Sequence, residues 1–250
     1  MYKLPQFRGV LLNVTDACNL ACKYCFVHQH PHYMPYKIAR DTLDLMVDIS
    51  KETNVIPDIA FFGGEPTLCW DSIIEPLVEY RNKNNFKVHF GMTSNCTLLN
   101  ENRLKFLRDN EFTLLFSIDG NKETQDFNRP YHDGRGSFDT IEPIISLIPK
   151  YLPNTTFRST LYPPTCHNLY DNIMFASNQG FKSYYAMPDS FSQWTPEQID
   201  ILKHNLHKYS DYFIKEFREE RIPTGTKDTI AAPVPIISVM LKSLPNRLDA

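Results

Sequence analysis

A chain of 250 residues can bury a core of its own without needing a second domain. Apolar content of 42% with 13% aromatics is that of a folded globule, and 26 basic against 29 acidic residues leave a net charge of −3, with no basic run to suggest a nucleic-acid groove. Apolar runs are broken by charge or proline short of about 18 residues, so no membrane span is expected; the opening MYKLPQFRGVLLNVT lacks the long apolar core of a signal peptide, and a soluble, reducing, cytoplasmic setting is the expectation.

In chain order, apolar and β-branched runs alternate with helical patterns. RGVLLNVT predicts a strand over 9–15, and IARDTLDLMVDIS a helix over 38–50. DIAFFG with SIIEPLVEY repeats the unit, as do KVHFGMT with ENRLKFLRD and FTLLFSID with SFDTIEPIISLI. TTFRSTLY is followed by NLYDNIMFAS, and KSYYAMP by a long helix that starts at Thr195. Thr195 as N-cap, Pro196 in the first turn and Gln198 three residues on form a start signal. The apolar face of that helix, Ile199, Leu202, Leu206, Tyr209, Phe213 and Phe217, is expected to be core.

Strand–helix units of this size build parallel crossovers and a parallel sheet. A closed eight-unit barrel takes about 250 residues, and the tail has no room for two further units. The fold class predicted is therefore α/β, an open partial barrel of six units over 1–225, followed by a C-terminal helical segment over 226–250 (IAAPVPIISVMLKSL).

The chemistry-bearing motifs each follow a predicted strand. Cys18, Cys22 and Cys25 in DACNLACKYCF follow the first, GGEPT (63–67) the second and TSNCTLL (93–99) the third, while SIDG (117–120) ends the fourth. In a parallel barrel such positions share the C-terminal rim, where active sites gather. Singly, most have plain readings: Gly63-Gly64 as a turn, Asp119-Gly120 as a turn pair, Ser94 and Asn95 as helix caps. The cysteines do not. Three is an odd number for disulfides, and Cys69, Cys96 and Cys166 are scattered singly. Structural zinc wants four ligands, usually as two pairs, and a low-potential ferredoxin cluster also wants four cysteines. Three thiolates would leave one iron of a [4Fe–4S] cluster open to another ligand.

The C-x3-C-x2-C spacing with aromatics around the last cysteine, followed by GGEP, resembles the radical S-adenosylmethionine superfamily. More narrowly, CNLACKYCF, FFGGEPTL, SNCTLL, SIDG, NRP and GRGSF resemble its peptide- and protein-modifying branch, which includes anaerobic sulfatase maturases and thioether-forming peptide maturases. The motif-by-motif likeness covers roughly residues 8–140. It implies that Cys18, Cys22 and Cys25 hold three irons of a [4Fe–4S] cluster, with S-adenosylmethionine (SAM) chelating the fourth. It further implies that Tyr24 packs by the adenine, that Gly63 and Gly64 admit the methionine moiety, and that Glu65 faces its amino group. Asn95 would make a polar contact, and Ser117 and Arg129 would contact the cofactor, the guanidinium suiting a carboxylate. The chemistry implied is one-electron cleavage of SAM to a 5′-deoxyadenosyl radical, which takes hydrogen from a substrate.

One departure stands out: where family members usually read Thr-Asn-Gly, this chain reads Ser94-Asn95-Cys96, which questions the local turn. Cys96, Cys69 and Cys166 are expected to pack, since free cysteine is commonly buried. His28, His30 and His32 suggest zinc but fit a polar loop better. The function expected is maturation of a ribosomally made peptide. The alternatives are formylglycine formation in a sulfatase and, from another class, a non-catalytic iron–sulfur electron-transfer protein. Expected partners are a peptide or protein substrate and an electron donor such as flavodoxin or ferredoxin. The 250 residues are expected to be the catalytic core of a longer enzyme whose relatives carry auxiliary clusters beyond the barrel.

Overall fold

In the computed structural model, residues 8–218 are described. Six strands alternate with helices. They are β1 (Gly9–Thr15), β2 (Asp58–Gly63), β3 (His89–Ser94), β4 (Thr113–Ser117), β5 (Thr156–Leu161) and β6 (Tyr184–Pro188). They form one sheet in sequence order, with β1 and β6 at its edges. The pairings β1–β2, β2–β3 and β5–β6 are parallel, as crossover connections require. The expected α/β sheet of six units is therefore present, and it is open.

The helices are α1 (Tyr36–Thr53), α2 (Glu75–Lys83), α3 (Glu101–Asp109), α4 (Lys122–Asn128), α5 (Phe138–Ile145), α6 (Ile148–Tyr151), α7 (Leu169–Asn178) and α8 (Pro196–Arg218). α3 matches its predicted span, and Asn100 caps it by accepting from the Arg103 N–H at 2.9 Å. Ser94 and Asn95 thus have other work. α8 starts as expected: the Gln198 N–H donates to Thr195 Oγ1 at 3.2 Å, and the Thr195 N–H to Gln198 Oε1 at 3.0 Å. Its expected core face is only partly so. Leu202 is buried, whereas Ile199, Leu206, Tyr209 and Phe213 are half-buried. The side chain of Phe217 and the segment expected over 226–250 lie outside the described residues. Two details go beyond the sequence pattern. α4 is too short and polar to show helical periodicity, and it is set instead by its cap: Asn121 Oδ1 accepts from the Thr124 N–H at 3.0 Å. The Ser-Phe-Asp helix splits into α5 and α6, with the split falling after Pro143 and before Pro149.

The chain divides into two compact units. The first takes in the chain up to Asn19 and Phe26–Leu115; the second takes in Leu20–Cys25 and the chain from Phe116. In the first, Phe61, Phe90 and Phe112 stack at centroid distances of 5.4–6.1 Å, flanked by Phe106 and Trp70. Strand alternation there is clean: Leu12, Val14, Ile59, Phe61, Phe90 and Met92 are buried, while Leu11 on the opposite face is 59% exposed. In the second, Phe157 is the centre, with Phe181 edge-on at 5.1 Å and Tyr184 stacked at 5.4 Å.

Candidate active site

The first unit carries Cys18 and the GGEP loop. After β1 the chain runs extended past the end of β2: the Gly64 N–H donates to Thr15 O at 2.8 Å, and the Glu65 N–H to Ala17 O at 2.9 Å. This pairing explains both glycines. A Cβ on Gly63 would lie 2.0 Å from Thr15 O, and Gly63 has φ +136°; a Cβ on Gly64 would lie 2.1 Å from Ala17 O. The absent side chains let two backbones close on each other just before Cys18, a use in addition to the cofactor approach expected of them.

Glu65 is 1% exposed and caps the 3-10 turn Pro66–Cys69. Its Oε1 accepts from the Thr67 N–H at 3.0 Å, the Thr67 hydroxyl at 2.5 Å and the Ser94 hydroxyl at 2.9 Å. Its Oε2 accepts from the Asn95 N–H at 2.7 Å. Burial pushes this carboxyl above its ordinary pKa, and these four donors pull against the shift. Glu65 therefore ties the GGEP loop to the Ser94–Asn95 turn.

Asn95 is oriented in its turn. Its Oδ1 accepts from the Thr97 N–H at 3.0 Å and the Thr97 hydroxyl at 2.6 Å, and its Nδ2 donates to Asn19 Oδ1 at 2.9 Å. The same Nδ2 stands 3.8 Å from Cys18 Sγ. Cys96, in the place of the usual glycine, keeps the turn by adopting φ +68°, with its N–H on Ser94 Oγ at 3.1 Å and its side chain buried. Cys69 and Cys166 are buried, and burial raises both thiols. All three pack as expected. His28, His30 and His32 lie exposed on the loop after Cys25.

The second unit carries Cys22 and Cys25. The segment is laid against the NRP motif: the Ala21 N–H donates to Pro130 O at 2.8 Å and the Lys23 N–H to Asn128 O at 2.9 Å, with Leu20 bridged antiparallel to Tyr131. A turn closes the pair, the Cys25 N–H donating to Cys22 O at 3.1 Å. Cys25 is exposed and Cys22 half-buried. Ser117 ends β4 in a buried position.

The residue that organises this unit is Asp119, which by sequence alone reads as a turn residue. It is 0% exposed, and four donors converge on it. Its Oδ1 accepts from Arg129 Nη2 at 2.9 Å and the Thr160 N–H at 3.0 Å; its Oδ2 accepts from Asn128 Nδ2 at 2.9 Å and from the Tyr24 hydroxyl. Arg129 lies over the Tyr24 ring at 5.3 Å, and its Nη1 stands 3.9 Å from Cys22 Sγ. Tyr162 meets the same Tyr24 ring edge-on at 5.7 Å. Burial works against the Arg129 charge, yet Asp119, Tyr24 and Cys22 together hold its pKa well above the ordinary value. Burial likewise raises the Tyr24 hydroxyl; Arg129 opposes the shift and Asp119 adds to it. The sequence signal for Asp119 is its place in SIDG, one motif with Ser117.

The donor chemistry suits an iron–sulfur cluster. Two of the three clustered cysteines have an N–H donor aimed at their sulfur, one neutral and one cationic, and both favour a thiolate. Arg129 Nε is buried without a partner, leaving one further donor for an anionic group. No three His, Cys, Asp or Glu side chains among the described residues converge on a single ion; in a cubane, each thiolate takes a separate iron.

Comparison with known proteins agrees. The Radical SAM superfamily profile matches residues 12–167. A cysteine-type anaerobic sulfatase-maturating enzyme of Clostridium perfringens is 35% identical over 156 residues, covering 59% of this chain and 42% of that protein. The radical SAM cyclopropyl synthase TigE of Paramaledivibacter caminithermalis is 24% identical over 189 residues, covering 69% and 39%. Among solved structures, native anSMEcpe with bound AdoMet and Cp18Cys peptide superposes with TM-score 0.70 at 24% identity, covering 85% of this chain and 61% of that one. Streptococcus suis SuiB bound to S-adenosylmethionine gives 0.59 at 15% identity, covering 84% and 45%. The chain thus spans about half the length of these relatives. Since the profile takes in the cysteine loop, the GGEP and SIDG strand ends and the NRP segment that Asp119 and Glu65 organise, the chain belongs to the radical SAM superfamily, whose members use a [4Fe–4S] cluster and SAM.

Proposed function

We propose that this chain is the catalytic part of a peptide- or protein-modifying radical SAM enzyme, with Cys18, Cys22 and Cys25 as cluster ligands. The observation that carries the reading is the pair of donors at the thiol sulfurs, Asn95 Nδ2 on Cys18 and Arg129 Nη1 on Cys22. When bound, the cluster and SAM supply an electron and a carbon-centred radical that removes hydrogen from a substrate. The chain's own residues bind and orient. Asn95 and Arg129 stabilise the thiolates, Glu65 fixes the Asn95 turn, and the free Arg129 Nε and the Tyr24 ring take the anionic and aromatic parts of SAM. Gly63, Gly64 and Ser117 keep the neighbouring backbone close and the β4 end small. The catalytic core is assigned to 1–225.

Maturation of a ribosomally made peptide is the first choice of substrate chemistry. The 35% identity to a sulfatase-maturating enzyme favours a second reading, oxidation of a sulfatase Cys or Ser to formylglycine. A reducing, cytoplasmic setting with a flavodoxin or ferredoxin as electron donor suits an oxygen-labile cluster; no helix among the described residues is long and apolar enough to cross a membrane. The test is anaerobic reconstitution. Iron and sulfide are expected at one [4Fe–4S] per chain and absent when all three cysteines are replaced by alanine. Reductant plus SAM is expected to yield 5′-deoxyadenosine, and mass spectrometry of gene-neighbour peptides against a sulfatase-derived peptide then separates the two substrate readings. A cluster that ignores SAM would leave a plain electron carrier.

A further inference from the structure

Asp119 has no route to substrate, being fully enclosed, but two chemically active side chains depend on it. The Thr160 N–H anchors its Oδ1 to β5, so the carboxylate is a rigid post. From that post it holds Arg129 through Oδ1 and Tyr24 through Oδ2. Asn128, the neighbour of Arg129 in the NRP segment, is held as well, through its side-chain amide. Its own side-chain oxygen accepts from the Thr165 hydroxyl at 3.0 Å, which fixes the segment a second time. Arg129 has a long, rotamer-rich side chain in a buried position. A buried guanidinium that loses its carboxylate partner is an uncompensated charge and is driven toward solvent.

We infer that Asp119 is a positioning residue for the cofactor site: it holds the Arg129 guanidinium on the Tyr24 face with Nη1 at the Cys22 sulfur and Nε free for the ligand. The inference rests on the function proposed above. It assigns the Asp of SIDG a role through Arg129 and Tyr24 and no contact of its own with the cofactor. The consequence is coupling. Once Asp119 is neutralised, Arg129 is already displaced, and changing Arg129 as well has little left to remove.

The test is a double-mutant cycle read by electron paramagnetic resonance. SAM is titrated into the anaerobically reconstituted, reduced protein, and the change in the cluster spectrum gives an apparent affinity. Asp119→Asn and Arg129→Lys are each expected to weaken SAM binding by about tenfold or more, and the double variant to lie within about threefold of the poorer single. Multiplying losses in the double variant overturn the inference, as does an Asp119→Asn affinity within about twofold of wild type. If Asp119→Asn fails to take up a cluster, Tyr24→Phe enters the same cycle with Arg129→Lys. It keeps the ring and removes one donor from the same carboxylate; coupled losses support the inference and independent ones overturn it. A wild-type spectrum that SAM leaves unchanged overturns the proposed function and this inference with it, whereas a wild-type response with uncoupled variants overturns the inference alone.

Discussion

Each unit of the molecule buries one carboxylate beside its part of the cysteine motif, and the two are satisfied in different ways. Glu65 is surrounded by neutral donors alone: two backbone N–H groups and two hydroxyls, all from segments of fixed backbone. Asp119 has a cation among its four donors, and it holds two large side chains, Tyr24 and Arg129. The difference teaches what each is for. A carboxylate fed by backbone and short side chains fixes a loop; one paired with a long guanidinium fixes a side chain that would otherwise be free to move. Uncompensated burial also leaves its mark on Glu65, whose carboxyl is pushed up, because no positive charge offsets the loss of water.

The contrast breaks most visibly at Asp119. Asp119→Ala removes the partner of the Arg129 charge, which must then be borne unpaired or expelled from its packed position, and is expected to cost about 3–5 kcal/mol in urea unfolding of the apo protein. Adding Arg129→Met removes the orphan charge and should recover a good part of the loss. No second substitution has that effect at Glu65, where there is no cation to remove; a double variant no more stable than Asp119→Ala would make the two carboxylates alike.

Next in size is Gly64→Ala. The new Cβ would meet the Ala17 carbonyl oxygen at 2.1 Å, a backbone atom that cannot swing aside, so the loop must part from the segment leading to Cys18. A loss of about 3 kcal/mol is expected, measured by the same unfolding curve, together with reduced cluster uptake on reconstitution. Glu65→Gln follows at about 2 kcal/mol, since an amide can accept at one position only and presents donors to groups that are themselves donors. Its pH dependence sharpens the comparison. The folded carboxyl has the higher pKa, so the unfolded chain gives up its proton first as pH rises. Wild type therefore loses stability from about pH 4.3 up to the raised folded value and levels off above it. The gap between wild type and Glu65→Gln should narrow across that window; a gap that widened would mean the donors outweigh burial.

The smallest effect concerns Cys96. Its φ of +68° strains any residue with a Cβ, so Cys96→Gly should be less harmful than Cys96→Ala, by about 1 kcal/mol. Elsewhere in a core the larger residue is the safer one. Thermal unfolding of the two variants decides it, and the usual order would show that the turn is relaxed.

Features with a local cause are legible in the amino-acid sequence by itself. The six strands can be placed because apolar and aromatic residues, Val, Ile, Leu and Phe in most of them and Tyr, Ala and Met in β6, alternate or cluster over five to seven residues. The start of α8 is readable because a Thr-Pro-x-Gln cap is satisfied within four residues, and the cysteine spacing points to a cluster because three thiols in eight residues are chemically unusual. What the tertiary structure decided is everything that depends on partners far along the chain. Gly63 and Gly64 face the backbone of residues 15–17 across a parallel pairing, α4 exists by its Asn121 cap despite weak periodicity, and most of the described α8 apolar face stays only half-buried. Asp119 reads as a turn residue in sequence because its four donors come from residues 24, 128, 129 and 160. Burial and hydrogen-bond partners are properties of the packed chain, so a short polar residue shows its role only when the fold has brought its donors to it.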